Sequence, residues 1–363
     1  GIEYLEQVRI SREKGEPRKP YCLVLSLVNP HDVLGYPKSV QFGYTPDEYT
    51  GRTITDLPPT VTEQLLKNGK PMAQLQTNIA ADGLLGVLRN DDMKLNYLNF
   101  YAYLLTKIDG EIGKFIDVLY DDTKGRRLAD DAVVIRLADH GEMGMSHGGM
   151  RQKAFVAYEE ALRIPMVISN PIVFNKKESS DELATLIDIF PTISEIVGVP
   201  KDSNARGESL IPIIEEGKSV QDSILFTFDD TKSGSNNLPS SVKATNRLRA
   251  IRTNDWKYTY YFDSLGRYQK EYELYDLVND IEELHNLAYK PEYREQREYL
   301  HQQLMELEER KLRVNEVFVN KNNQYEYKTW VETNPNFETY AYNDMEDYEK
   351  ESFDINEEKN TEK

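Results

Sequence analysis

The stretch A-V-V-I-R-L-A-D-H-G-E-M-G-M-S-H-G, residues 132–148, decides the fold prediction for this chain. Its first seven residues form a short apolar run, which is typical of a strand buried on both faces of a sheet. Asp139, His140 and Gly141 follow directly, where the predicted strand ends. Ligands bind beyond the carboxyl ends of strands in α/β sheets, so the stretch predicts both a strand and a functional site.

The surrounding segments predict strands and helices that alternate along the chain. Apolar runs at residues 21–28 and 165–169 predict two further strands, and apolar residues three and four apart in residues 94–120 predict one long amphipathic helix. A second helix is predicted at residues 181–198, whereas the Gly- and Pro-containing residues 35–92 indicate an extended, loop-rich insertion. The alternation predicts an α/β domain with a mostly parallel sheet flanked by helices.

The pattern changes after about residue 215. Residues 254–262 and 271–277 predict an antiparallel hairpin, and the charged residues 291–313 predict an amphipathic helix. The last segment is acidic and poor in aliphatic residues, which favours disorder or loose docking. We therefore predict three parts: part of an α/β catalytic domain (1–215), a small α+β subdomain (216–318) and an acidic tail (319–363).

Composition excludes several classes of partner. The chain has 44 Lys+Arg and 62 Asp+Glu in 363 residues, a formal net charge of −18, so nucleic acid and anionic membrane surfaces are not expected partners. No apolar run has the length of a membrane span. The single cysteine, Cys22, excludes an internal disulfide and a cysteine-rich zinc module.

Asp139 and His140 are the leading candidates for a metal site. A carboxylate and an imidazole that leave a strand together can both face one divalent cation, and Gly141 lets the backbone turn tightly. In the alternative interpretation, Asp139 caps the next segment and His140 is a hydrogen-bonded core histidine.

Three further residues are candidates for contact with a substrate. His31 follows the first predicted strand and could donate a proton to a leaving group, or it is a loop histidine bonded to nearby backbone. Lys153 is the nearest cation that could reach a bound oxyanion. His147 is either a third site residue or a turn-stabilising one. No nucleophile motif accompanies them.

Three blocks of sequence resemble the sulfatases of the alkaline phosphatase superfamily. They are L-V-N-P-H-D (27–32), A-D-H-G-E-M-G-x-x-H-G (138–148) and R-Q-K-A-x-x-A-Y-E-E-x-x-R-I-P (151–165). The resemblance covers roughly residues 20–290, and R-x-I-R-T-N-D-W-K-Y (249–258) is similar to the family's small carboxy-terminal subdomain.

The resemblance implies a function and a role for each candidate residue. The function is metal-dependent hydrolysis of a small-molecule or carbohydrate sulfate ester, with Asp139 and His140 as metal ligands. Lys153 would hold the sulfate oxygens, His31 would protonate the departing alcohol, and His147 would lie near the substrate. Family members mostly use calcium, whereas relatives that hydrolyse phosphonate or phosphate esters use manganese or zinc.

The family's nucleophile and two of its metal-binding aspartates have no counterpart in this sequence. Sulfatases carry C-x-P-S-R or S-x-P-S-R, whose first residue becomes formylglycine, but Cys22 is followed by Leu-Val-Leu-Ser. We therefore expect a truncated chain that is inactive alone, with the formylglycine in an absent amino-terminal part. The alternatives are a phosphodiesterase or phosphonate monoester hydrolase of the same superfamily, and a non-catalytic fragment or pseudoenzyme.

Overall fold

The computed structural model describes residues 1–16, 20–174, 178–202, 204–230, 245–263 and 266–312. The chain divides into two compact units, Gly1–Leu307 and Glu308–Lys363, and nearly all described residues belong to the first. The predicted acidic tail lies outside the described residues, and the predicted boundary near residue 215 stays a prediction. The described α-helices are α1 (Ile2–Glu13), α2 (Met72–Leu85), α3 (Asp91–Tyr120), α4 (Ser146–Gly149), α5 (Glu159–Leu162), α6 (Ile189–Ile196), α7 (Ile211–Glu216) and α8 (Arg294–Leu312).

Helix α3 is the central helix of the first unit and confirms the helix predicted from residue 94 to 120. It begins earlier, at Asp91, because the side chain of Asn90 accepts a hydrogen bond from the Met93 backbone N–H at 2.9 Å and caps the helix. Its buried face, which includes Phe100 and Leu104, packs on tyrosines of the preceding loops such as Tyr36. The local pattern of apolar residues and the cap explain why this helix was predictable.

Residues 35–92 are more ordered than the predicted loop-rich insertion. They contain helix α2, whose inward face carries Ala73, Gln74 and Ala81. The Gln74 side chain is fully buried, and its Nε2 donates to Tyr261 Oη at 3.0 Å. A buried face made of small and polar residues gives no apolar stripe, which explains why periodicity missed this helix.

Strands β1 (Val134–Leu137) and β2 (Met166–Ser169) confirm two of the predicted strands but not their direction, and the predicted burial of β1 is wrong, since none of its residues is buried and Leu137 is 42% exposed. They pair antiparallel, with Val134 opposite Ser169 and Leu137 opposite Met166. Every strand pair within the described residues is antiparallel, so the predicted parallel pairing is not seen there. An apolar run carries no information about the partner strand or about how completely other elements cover the strand.

Residues 21–28 do not form the predicted buried strand. In the described structure these residues are not paired with another strand, and Val24 and Val28 are 82% and 75% exposed. A strand needs a partner for its backbone groups, and an apolar sequence alone does not supply one. The predicted helix at 181–198 is also shorter, because the chain forms a 3-10 turn at Leu186–Asp188 before α6.

The carboxy-terminal part of the unit is a four-stranded antiparallel sheet covered by helix α8. Its strands are β3 (Ile224–Asp229), β4 (Arg247–Arg252), β5 (Trp256–Phe262) and β6 (Glu271–Asp276), in that spatial order. The β5–β6 pair confirms the predicted hairpin, and α8 confirms the predicted helix. Leu300, Leu304 and Leu307 of α8 pack on this sheet. Among the described helices, none has the length and apolar character required to span a membrane.

Candidate functional site

Asp139 and His140 lie directly after β1 on an exposed loop. His140 Nδ1 is 2.9 Å from the carbonyl oxygen of Gly141, which can only accept, so Nδ1 donates this hydrogen bond. The Nε2 atom of the same ring lies 3.3 Å from Asp139 Oδ2, and 43% of the His140 side chain is exposed. A carboxylate oxygen and an imidazole nitrogen therefore lie side by side at the surface, the two kinds of atom that a divalent cation accepts as ligands.

Gly141 allows this loop to pack closely against α5. Its N–H donates to the Ala161 carbonyl at 2.8 Å, and a Cβ at this position would lie 1.9 Å from the carbonyl oxygen of Glu160. No side chain fits at that distance, so the close approach of two backbones requires glycine. The position of the Asp139–His140 pair is thereby fixed by α5.

The chain then folds back on itself and brings Lys153 into the same loop. The Met143 N–H donates to the Gln152 carbonyl at 3.1 Å, and the Gln152 N–H donates to Glu142 Oε1 at 2.8 Å. Tyr97 Oη on α3 also donates to Glu142 Oε1, at 2.5 Å. Through these hydrogen bonds Glu142 connects both sides of the loop to α3. Lys153 is the next residue after Gln152, which takes part in this network. We name residues 139–153 the site loop.

His147 is the buried centre of the site loop. Its side chain is fully buried, with Nδ1 2.6 Å from Glu63 Oε2 and Nε2 3.6 Å from Glu160 Oε1. Its ring stacks on Tyr158 with centroids 3.7 Å apart. The predicted contact between His147 and a substrate stays a prediction, since this geometry shows an ionic contact inside the protein.

The electrostatics of this contact favour a protonated histidine. Burial lowers the pKa of His147, but its contacts with Glu160 and Glu63 outweigh burial and raise the pKa above its ordinary value. Burial likewise raises the pKa of Glu63 and Glu160, but their contacts together outweigh it and lower both pKa values: His147, Lys70 and Asn68 act on Glu63, and chiefly His147 acts on Glu160. A charged imidazolium between two carboxylates is the consistent protonation state.

Sequence reasoning missed the partners of His147. Lys70 Nζ lies 3.4 Å from Glu63 Oε1 and donates to Tyr275 Oη at 2.8 Å, so a buried ionic cluster extends from the site loop to β6. Glu63 is 84 residues from His147 in the sequence, and no local spacing reveals such a pair. Glu160 was quoted in the block at 151–165 but received no role.

Among the contacts of the described residues, none joins the His31 side chain to another candidate site residue. It begins a 3-10 turn, His31–Gly35, in which its N–H donates to the Val28 carbonyl at 3.2 Å. Its neighbour Asp32 accepts from Tyr44 Oη at 2.6 Å. The contacts of the described residues likewise do not join the Lys153 side chain to the Asp139–His140 pair.

The donor set at the site loop fits part of a divalent metal site. Calcium accepts carboxylate oxygens, and zinc or manganese also accepts imidazole nitrogen. Within the part of the chain that the structure describes, no group of three or more His, Cys, Asp or Glu side chains could hold a metal ion. Asp139 and His140 would supply two ligand atoms to such a site.

Family comparisons agree with the residue blocks that carry the site. A family model described as Sulfatase matches residues 4–199, which include all five candidate residues. The chain belongs to the sulfatase family. A second family model, described as N-sulphoglucosamine sulphohydrolase, C-terminal, matches residues 147–310. The family resemblance stated from the sequence is confirmed.

Curated relatives of this sulfatase-family chain are sulfatases from animals and bacteria. Arylsulfatase K of Bos taurus is 30% identical over 205 residues, which are 54% of this chain and 34% of that protein. The N-acetylglucosamine-6-O-sulfatase of Bacteroides thetaiotaomicron is 28% identical over 214 residues, 58% of this chain and 35% of that protein. The arylsulfatase of Clostridium perfringens is 28% identical over 300 residues, 81% of this chain and 55% of that protein. The matches therefore span between a third and about half of these relatives.

Solved structures share the fold. BT4656, in complex with its substrate D-glucosamine-2-N,6-O-disulfate, superposes with a TM-score of 0.66 at 19% identity, covering 86% of this chain and 70% of that chain. The phosphonate monoester hydrolase of Agrobacterium radiobacter has a TM-score of 0.62 at 20% identity, covering 88% and 62%. The alkaline phosphatase-like α/β fold is therefore confirmed.

Proposed function

We propose that the protein hydrolyses sulfate esters and that a divalent cation at Asp139 and His140 assists the reaction. The observation that carries this proposal is the convergence of Asp139 Oδ2 and His140 Nε2, 3.3 Å apart, on a loop within the match to the sulfatase family. A carboxylate oxygen and an imidazole nitrogen at this distance suit one shared cation.

Calcium is the cation we propose, because most family members use it. The histidine ligand keeps manganese and zinc as outcomes of the test. When bound, the cation supplies Lewis acidity, which stabilises negative charge on ester oxygens. Asp139 and His140 hold it, and Gly141 fixes both against α5 through its 2.8 Å hydrogen bond to Ala161.

Lys153 and His31 act on the substrate in this proposal. The Lys153 ammonium attracts the negatively charged sulfate oxygens, and its place on the site loop follows from the hydrogen bonds of Gln152. His31 donates a proton to the departing alcohol, a role suited to the titration range of an imidazole. Since the ring of His147 is fully buried, we propose that it serves the substrate indirectly, by holding the site loop.

The family supports a class of substrate, whereas no nucleophile is assigned. Sulfatases use a formylglycine, which the sequence around Cys22 does not match, so no residue of this chain is assigned that role. We propose a carbohydrate sulfate ester as the substrate. The N-acetylglucosamine-6-O-sulfatase among the relatives supports an ester of a sulfated sugar, and the match to the N-sulphoglucosamine sulphohydrolase model supports a sulfated sugar, in that case with the sulfate on nitrogen.

The proposal is tested by hydrolysis assays on the natural protein that carries this chain. We expect release of sulfate from 6-sulfated N-acetylglucosamine, loss of the activity in a chelator and recovery with calcium. Lys153→Met and His31→Ala should each lower kcat/KM at least about 100-fold, roughly 2.7 kcal/mol of transition-state stabilisation. His140→Gln should also raise the calcium concentration needed for half-maximal rate.

The matched control is His285→Gln. His285 Nδ1 lies 3.4 Å from Asp280 Oδ1, so the substitution removes an exposed imidazole from a similar Asp–His pair outside the site loop. It should leave kcat/KM unchanged. Faster hydrolysis of a phenylphosphonate monoester than of any sulfate ester would favour the alternative phosphonate chemistry, and near-normal activity in both Lys153→Met and His31→Ala would contradict the assignment.

A further inference from the structure

A small cavity lies between the site loop, α2 and the start of α3. Its volume is about 100 Å³, and its polar lining is unlike the apolar clusters around it. It is lined by Val61, Asn78, Asp82, Leu88, Lys94, Met145, Gly148, Gly149 and Arg151. None of the five candidate residues of the proposed active site lines it.

Arg151 gives the cavity a buried and incompletely used donor. Its side chain is 1% exposed, and Nη2 donates to Asp82 Oδ1 and to the Gly86 carbonyl, each at 2.8 Å. Among the described residues, Nη1 has no hydrogen-bond partner. Buried polar groups are almost always paired, so this guanidinium edge indicates a place for an acceptor that the chain itself does not supply.

The other polar groups of the cavity do not satisfy that donor. The carboxylate of Asp82 is engaged by Nη2, and the Asn78 side chain donates to the Gly148 carbonyl at 3.3 Å. Lys94 adds a second cation, whose Nζ lies 3.1 Å from Asp91 Oδ1 on the same helix. Among the lining side chains Arg151 and Lys94 are cations and Asp82 is the anion, while the partner of Lys94, Asp91, does not line the cavity. With Arg151 Nη1 left as a donor, this lining suits a small anion with several acceptor oxygens.

We propose that this cavity binds an oxyanion, with Arg151 Nη1 and Lys94 as its ligands. The size and donor set suit sulfate or the carboxylate of an acidic sugar, which share the same chemistry. The guanidinium supplies a planar pair of donors and the ammonium a point charge. This binding requires no turnover, so it stands or falls independently of the proposed hydrolysis.

The test is equilibrium dialysis of the protein against radiolabelled inorganic sulfate at constant ionic strength, with methyl glucuronide as competitor. Lys94→Met should weaken sulfate binding about fivefold or more, and Arg151→Lys, which keeps the charge but removes Nη1, should weaken it further. Lys114→Met is the matched control. Lys114 pairs with Glu111 three residues earlier on α3, as Lys94 does with Asp91, but it does not line the cavity.

Each outcome of the dialysis decides the proposal. Competition by methyl glucuronide would identify an acidic sugar as an accepted ligand, and its absence with intact sulfate binding would restrict the site to sulfate. Loss of binding in Lys153→Met but not in Lys94→Met would place the sulfate at the proposed active site and overturn the inference. Equal binding in Lys94→Met and Lys114→Met, or no binding at all, would also overturn it.

Discussion

Removing the imidazole of His147 is expected to destabilise the protein strongly. His147 and Glu63 are both fully buried, 2.6 Å apart, so His147→Ala leaves Glu63 with one partner fewer in a dry environment. Breaking a buried ion pair by removing one partner costs about 3–5 kcal/mol. The lost stacking on Tyr158 adds to the cost, whereas the remaining ion pair of Glu63 with Lys70 limits it.

The effect should depend on pH in a defined direction. The pKa of folded His147 is raised above its ordinary 6.5, so its contribution to stability is complete below about pH 6.5 and is lost as pH rises through the folded pKa. One titrating proton changes the free energy of unfolding by at most about 1.4 kcal/mol per pH unit. The lowered pKa values of Glu63 and Glu160 also contribute to stability, and this contribution is lost only in acid, as pH falls below their ordinary pKa of 4.5.

Urea denaturation followed by circular dichroism measures this effect at pH 6, 7, 8 and 9. The difference in free energy of unfolding between wild type and His147→Ala should be largest at pH 6 and should shrink toward pH 9. His285→Ala, which removes an imidazole with 72% exposure, should stay within about 0.5 kcal/mol of wild type throughout. A difference of less than about 1 kcal/mol at pH 6, or one that does not change with pH, would refute the reasoning.

Three further predictions concern single positions. Gly141→Ala should lower the free energy of unfolding by more than about 2 kcal/mol, because the added Cβ would lie 1.9 Å from the Glu160 carbonyl oxygen. Gly110→Ala is the control, since a Cβ at this position inside α3 would have no atom within 4 Å, and it should raise the free energy of unfolding by about 0.5–1 kcal/mol. Thermal melts of the two variants check both expectations. Asn90→Ala should cost about 0.5–2 kcal/mol in urea denaturation through loss of the α3 cap. Val24→Lys should change stability by less than about 0.5 kcal/mol, because Val24 is 82% exposed; a larger loss in the same assay would show that this segment is covered.

The elements that could be predicted from the sequence are those whose signals are local. Helix α3 carries an apolar stripe and a capping Asn90 within one segment. The β5–β6 hairpin consists of two apolar and aromatic runs close together in sequence, and they pair as expected, with Trp256 opposite Asp276. In both cases the decisive contacts lie between residues near each other in the chain, so no knowledge of the tertiary structure was needed.

The features that could not be predicted depend on distant partners. The apolar residues 21–28 indicated burial, but Val28 is 75% exposed and the described structure gives the segment no strand partner. Asp139 and His140 were visible because they are adjacent. The role of Lys70 could not be predicted, because Lys70 is connected to the site loop through Glu63, and only the folded structure shows that Glu63 contacts His147.

The central claim is that Asp139 and His140 share a divalent cation, and histidine NMR tests it most directly. The chain has only five histidines, so imidazole signals of a ¹⁵N-histidine-labelled sample can be assigned by single substitutions. Addition of Mn²⁺, a paramagnetic substitute for calcium, should broaden His140 at the lowest metal concentration, well before His285, and Asp139→Asn should abolish that preference. Parallel broadening of His140 and His285, or a preference that survives Asp139→Asn, would contradict a metal site at this pair.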